Sequence, residues 1–177
     1  MKENKSGGRR AYLQDFHKDV TGAYVYTGKH TVYAADNKLP FGKWFARLAI
    51  PAAVSVAVAA ASGFLPFEGL KNCFYVILPL VPELGFAVWA LWCVLSVVGK
   101  EKLRVYEYER SLAHLRAKNV TALVCAVIGA VGAIVFTLIR PDGKVLPALA
   151  YVFMKAVSAG CQLLAARTVK NARWDEG

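Results

Sequence analysis

Two ionisable residues stand inside stretches that are otherwise apolar. Glu83 lies within CFYVILPLVPELGFAVWALWCVLSVV, residues 73–98, and Lys155 within VLPALAYVFMKAVSAGCQLLAA, residues 145–166. A carboxylate and an ammonium in such surroundings can form an ion pair, pass a proton, or hold a small polar solute. Either one alone at the centre of a bilayer costs at least about 2.5 kcal/mol. Pairing is therefore the expected first use of both.

Tyr151, Ser158 and Gln162 fall at i−4, i+3 and i+7 from Lys155, so a helix here carries four polar side chains on one stripe. Pro79 and Pro82 flank Glu83 on its N-terminal side. Each lacks a backbone donor, which deprives the carbonyls of Tyr75 and Leu78 of their helical partners and predicts a kink beside the acid. The expected intramembrane polar site is thus Glu83, Lys155, Tyr151, Ser158 and Gln162, with the kink at Pro79 and Pro82.

Such a site requires elements of membrane length. The chain of 177 residues is 56% hydrophobic, and four windows reach the roughly 20 residues a helical span needs: 44–65, 73–98, 120–139 and 145–166. None alternates as the strands of an outer-membrane barrel do. The expected fold class is an all-α integral membrane protein, a four-transmembrane-helix bundle with a small N-terminal β-hairpin. Residues 1–43 form a segment of tail, short helix and hairpin, residues 44–166 the transmembrane domain, and residues 167–177 a tail. If the second and fourth spans run in the same direction, Glu83 and Lys155 each lie ten residues, about 15 Å, beyond the start of their span and so at one depth.

The 22 Lys and Arg are unevenly placed. Nine precede or include Arg47, six fall in residues 99–119 and three follow Ala166. The loops on the other side hold three. This asymmetry predicts cytoplasmic N and C termini and a multi-pass protein of the cell membrane, with residues 44–65 serving as an uncleaved anchor. It also accounts for the basic charge without nucleic-acid binding.

Between the first residues and the membrane, Leu13, Phe16 and Val20 are spaced for a short helix, and residues 22–34, GAYVYTGKHTVYA, read as a hairpin turning about Thr27-Gly28-Lys29. Ala49, Ala53, Ala57 and Ala61 make a small-residue ridge on the first span, with Ser55, Ala59 and Gly63 as a second small stripe beside it. The third span repeats the device with Ala122, Ala126 and Ala130 next to Cys125, Gly129 and Ala133, as close helix packing requires. Gly99 ends the second helix. Val105, Tyr108, Leu112 and Leu115 share one face of an amphipathic segment, and residues 140–144 make a tight turn.

Enzymatic signals are weak. His17, His30 and His114 lie outside the spans and lack metal-ligand spacing, and Gly28-Lys29 lacks the remaining residues of a phosphate loop. The four cysteines read as buried small residues. No catalytic residue, metal or cofactor is expected. Two functions follow: a transporter-like or channel-like protein for a proton, ion or small polar solute, or a non-catalytic accessory subunit or scaffold. The lipid bilayer is the expected partner, together with a second copy in a dimer or another membrane protein.

Overall fold

The computed structural model describes residues 16–19, 22–26, 28–140 and 145–176. Among the described residues, four helical segments are long and apolar enough to cross a membrane: Phe41–Ser62, Phe74–Leu95, Val105–Ile139 and Val145–Lys170. By length and hydropathy the chain is a multi-pass membrane protein. Helix α1 spans Phe41–Ser62. The short helices α2 (Glu68–Asn72) and α3 (Phe74–Ile77) lead into α4 (Leu80–Leu95). Helix α5 (Val105–Ser111) precedes α6 (Leu115–Ile139) and α7 (Val145–Lys170).

Neighbours around the bundle run α1, α7, α6, α4 and back to α1, so α4 and α7 stand on opposite corners. The helices are sorted as membrane packing demands, with small or polar residues inward and large apolar ones outward. On α6, Ala122, Ala126, Gly129 and Ala133 are buried, whereas Val127, Ile128 and Val131 are exposed. Gly132 is needed for a close approach: a Cβ there would lie 2.9 Å from the carbonyl oxygen of Tyr75.

The expected α1 ridge faces the other way. Ala53, Ala57 and Ala61 are exposed, and the inward side is formed by Trp44, Leu48, Ala52, Ser55, Ala59 and Ser62. Small residues occur on both sides of this helix, and the inward side is fixed by the large anchors Trp44 and Leu48 that recur with them.

Strands occur near the N-terminus, but they pair differently from the expected hairpin. β1 (Phe16–Lys18) pairs antiparallel with β2 (Tyr24–Tyr26). The chain turns at Gly22, with φ of +81°, a left-handed conformation that glycine adopts at little cost. Phe16 is therefore in a strand, not the expected short helix; Leu13 and Val20, like the expected tail at residues 1–9, lie outside the described residues. β3 (His30–Tyr33) does not pair back onto β2. It is the central strand of an antiparallel sheet between β4 (Lys102–Arg104) and β5 (Trp174–Glu176). Both edges of β3 are occupied by distant segments, because that pairing buries Thr31 and Leu103 over the helix ends. Asn37 secures the arrangement, donating to the carbonyls of Ala34 and Arg173 and accepting from the Arg173 amide at 2.9 Å.

Beneath this sheet an aromatic cluster joins it to the bundle. Tyr33, Phe41, Trp44 and Trp174 contact one another with centroids 5.4 to 6.4 Å apart. The Tyr33 hydroxyl donates to the Leu39 carbonyl at 2.9 Å, and burial raises its pKa above the ordinary phenol value, which keeps it a donor.

The expected amphipathic segment is divided. α5 ends at Ser111, Leu112 and Leu115 are buried, and α6 begins five residues before the expected boundary at Val120. Gly99, with φ of +70°, turns the chain after α4. Of the expected turn at residues 140–144, only Arg140 is among the described residues.

The aromatic cluster generates a stability prediction. Trp174→Ala should lower unfolding stability in detergent by about 2 kcal/mol, since it removes a half-buried indole from four aromatic neighbours, Tyr33, Phe41, Trp44 and Tyr108. Phe153→Ala, on the exposed side of α7, should change it by less than about 0.5 kcal/mol. Equal effects in thermal melts would mean that the C-terminal strand does not clamp the bundle.

Candidate functional site

The diagonal between α4 and α7 is bridged by charge. Glu83 and Lys155 are 0% and 1% exposed, and the Lys155 ammonium donates to Glu83 Oε2 at 2.5 Å. Ser158 Oγ donates to the other carboxylate oxygen at 2.8 Å. Both oxygens of the acid therefore have partners, as a buried carboxylate needs. The Tyr151 ring supplies a further contact, its centroid 5.0 Å from Lys155 Nζ.

One turn further along α7, Gln162 Nε2 donates to Ser55 Oγ on α1 at 2.9 Å, and Ser55 in turn donates to the Ala52 carbonyl at 2.9 Å. Gln162 Oε1 is buried without a hydrogen-bond partner. Reversing the amide would satisfy the oxygen only by orphaning the nitrogen, so one end of Gln162 is unmatched in either orientation.

The prolines act somewhat differently from a kink in one continuous helix. Leu78 and Pro79 separate α3 from α4, although both residues retain right-handed helical backbone angles. Pro82 lies in the first turn of α4, where a missing N–H costs little. The interruption leaves the Val76 carbonyl available, and Tyr151 donates its hydroxyl to it at 3.4 Å. Tyr151 thus joins the broken segment to the helix that carries Lys155.

Apolar plugs close the polar centre at both ends. On the side away from the sheet, Phe67 packs against Tyr151 and Phe136, each with a centroid separation of 5.4 Å. Gly69 makes room for the Phe67 ring: a Cβ there would come within 2.5 Å of it. On the sheet side, Trp44, Leu48, Val94, Leu103 and Leu115 form a continuous buried cluster with the aromatic residues.

All five expected polar residues are buried in the bundle interior, and Glu83, Lys155 and Ser158 are in direct contact. Ser55, expected on a small-residue stripe of α1 and not in the polar site, joins them through Gln162. Lys118 and Asn119 lie just before the expected third span, 120–139. They lie buried in the first turns of α6, on the face that Leu115, Ala122 and Ala126 continue at helical spacing. The Lys118 ammonium contacts Cys93 Sγ at 3.1 Å and the Trp89 ring at 4.4 Å. Among the described residues, no three His, Cys, Asp or Glu side chains converge as metal ligands.

No protein-family model, curated protein or solved structure matches this chain.

Charge removal tests the geometry. Glu83→Gln and Lys155→Met should each destabilise the bundle by about 3 kcal/mol, because each leaves one buried charge without its counter-ion. The double variant should lose less than the sum by about 2 kcal/mol or more. Ser158→Ala should cost about 1 to 2 kcal/mol through the unmatched Oε1. Additive losses in thermal or denaturant unfolding would contradict the contact.

Proposed function

We propose that the protein is a non-catalytic membrane anchor and assembly subunit, a rigid four-helix bundle that holds its β-sheet platform at the membrane face and associates through α1. The observation that carries this reading is the closure of the polar centre. Glu83 and Lys155 have their charges matched and are covered by apolar plugs on both sides. A site built for solute passage needs an opening, whereas a pair of this kind fixes which helix faces meet.

Association is supported by Ala53, Ala57 and Ala61, which place a small-residue ridge on the outside of the bundle, where a second copy could approach backbone to backbone. The sheet end is assigned to the cytoplasm from the excess of Lys and Arg in the segments that meet there. The row of Ser158, Gln162 and Ser55 favours a second reading, proton or ion passage, because the unmatched Gln162 Oε1 marks a point where a water could be held.

Disulfide trapping separates the two. On a cysteine-free background in native membrane vesicles, Ala57→Cys should cross-link into a dimer, and Val127→Cys on the outer side of α6 should not. Ala57→Leu should reduce the dimer about tenfold, equivalent to about 1.4 kcal/mol. Lys29→Cys should react with an impermeant reagent only from the cytoplasmic face. A monomer at both positions, together with ion or proton flux into liposomes that Glu83→Gln abolishes, would overturn the anchor reading in favour of passage.

A further inference from the structure

Where α1 and α7 meet near the sheet end, two adjoining cavities share Arg47, Thr168 and Asn171. The one nearer the sheet has a volume of about 520 Å³ and is bordered by Asp36, Asn37, Lys38 and Arg173. The other, about 590 Å³, is bordered by Arg167 and by the apolar side chains of Ile50, Pro51 and Leu164. Polarity therefore changes along the groove, from polar with a cationic excess at the sheet, where Lys38, Arg47 and Arg173 outnumber Asp36, to hydrocarbon along the helices. Ile50 and Leu164 are 63% and 56% exposed and stand about one turn from Arg47 and Arg167 respectively.

Arg47 and Arg167 line the same cavity from two helices. Lys29, Lys100 and Arg173 each meet a carboxylate, on Glu176, Glu107 and Asp36. Among the described residues, neither Arg47 nor Arg167 forms an ion pair, yet they converge on one cavity from two helices. Pro51 adds a backbone acceptor, since its missing N–H leaves the Arg47 carbonyl without the usual helical donor.

We propose that this groove is a site for an anionic phospholipid, its phosphate held between Arg47 and Arg167 and an acyl chain lying along Ile50, Pro51 and Leu164. Guanidinium groups match phosphate oxygens in a forked geometry, and basic pockets between spanning helices suit anionic headgroups. The Arg47 carbonyl accepts from a headgroup hydroxyl, and Thr168 and Asn171 supply further polar contacts. This assignment rests on membrane embedding, but not on self-association through α1.

The test is thermal unfolding of the purified full chain in detergent micelles containing phosphatidylglycerol, phosphatidylcholine with the same acyl chains, or inorganic phosphate. Phosphatidylglycerol should raise the midpoint by on the order of 5 °C over phosphatidylcholine, and inorganic phosphate should not. Arg47→Gln/Arg167→Gln should abolish that increment while leaving the midpoint in phosphatidylcholine unchanged; the charge-matched Lys43→Gln/Lys170→Gln should retain it. If the double variant does not fold, Arg167→Gln alone should reduce the increment by at least half. Equal stabilisation by both lipids, an equal shift with phosphate alone, or an undiminished increment in the arginine variants would overturn the site. Resistance of the wild-type chain to alkaline extraction from membranes checks embedding separately, so failure of the lipid site is distinguishable from failure of the membrane reading.

Discussion

An ion pair across the diagonal of a four-helix bundle constrains every helix around it. Glu83 and Lys155 belong to α4 and α7, which stand on opposite corners, so their contact requires α1 and α6 to present little side-chain bulk toward the centre. Ala52, Ser55 and Ala59 on α1, with Ala126, Gly129 and Ala133 on α6, meet that requirement. Gly129 is at the contact itself: a Cβ added there would be 3.5 Å from the Tyr151 hydroxyl and 3.7 Å from Lys155 Cε. In a low-dielectric interior the pair offsets its desolvation only when the remaining polar valences are filled, and Ser158 and Tyr151 serve that purpose.

The same constraint organises the ends of the molecule. Tyr151 reaches Lys155 with its ring and the Val76 carbonyl with its hydroxyl, which ties the helix interruption at Pro79 to the charged centre. Phe67 then covers Tyr151, so the segment between α1 and α3 is drawn inward as a plug. At the other end the sheet gathers three separated stretches of chain over the helix termini. The bundle and the sheet are consequently two parts of one packing arrangement, joined by Trp44 and Trp174.

What could be read from the sequence follows the range of the interactions. The four apolar segments and the stripe of Tyr151, Lys155, Ser158 and Gln162 are local patterns, set by helical periodicity within one element. The pairing of β3 with β4 and β5 is nonlocal, and nothing in residues 22–34 distinguishes it from a hairpin closed at Gly28. The actual turn uses Gly22, whose positive φ depends on a strand partner upstream. The direction of the α1 ridge was hidden for another reason: alanines occur on both sides of that helix. Lys118 was obscured by its position, because a cation beside a predicted boundary looks like a loop charge until the helix start is known.

Closure of the polar centre to water from both membrane faces is what separates an anchor from a pathway. Substituted-cysteine accessibility at Ser158, whose hydroxyl touches Glu83, addresses it most directly, with Lys170→Cys, exposed near the sheet end, as the accessible control. On a cysteine-free background, Ser158→Cys should remain unmodified by a small polar thiosulfonate reagent applied from either side of sealed vesicles, while Lys170→Cys reacts. Rapid modification of Ser158→Cys from one face would show a water path to the ion pair and contradict the account.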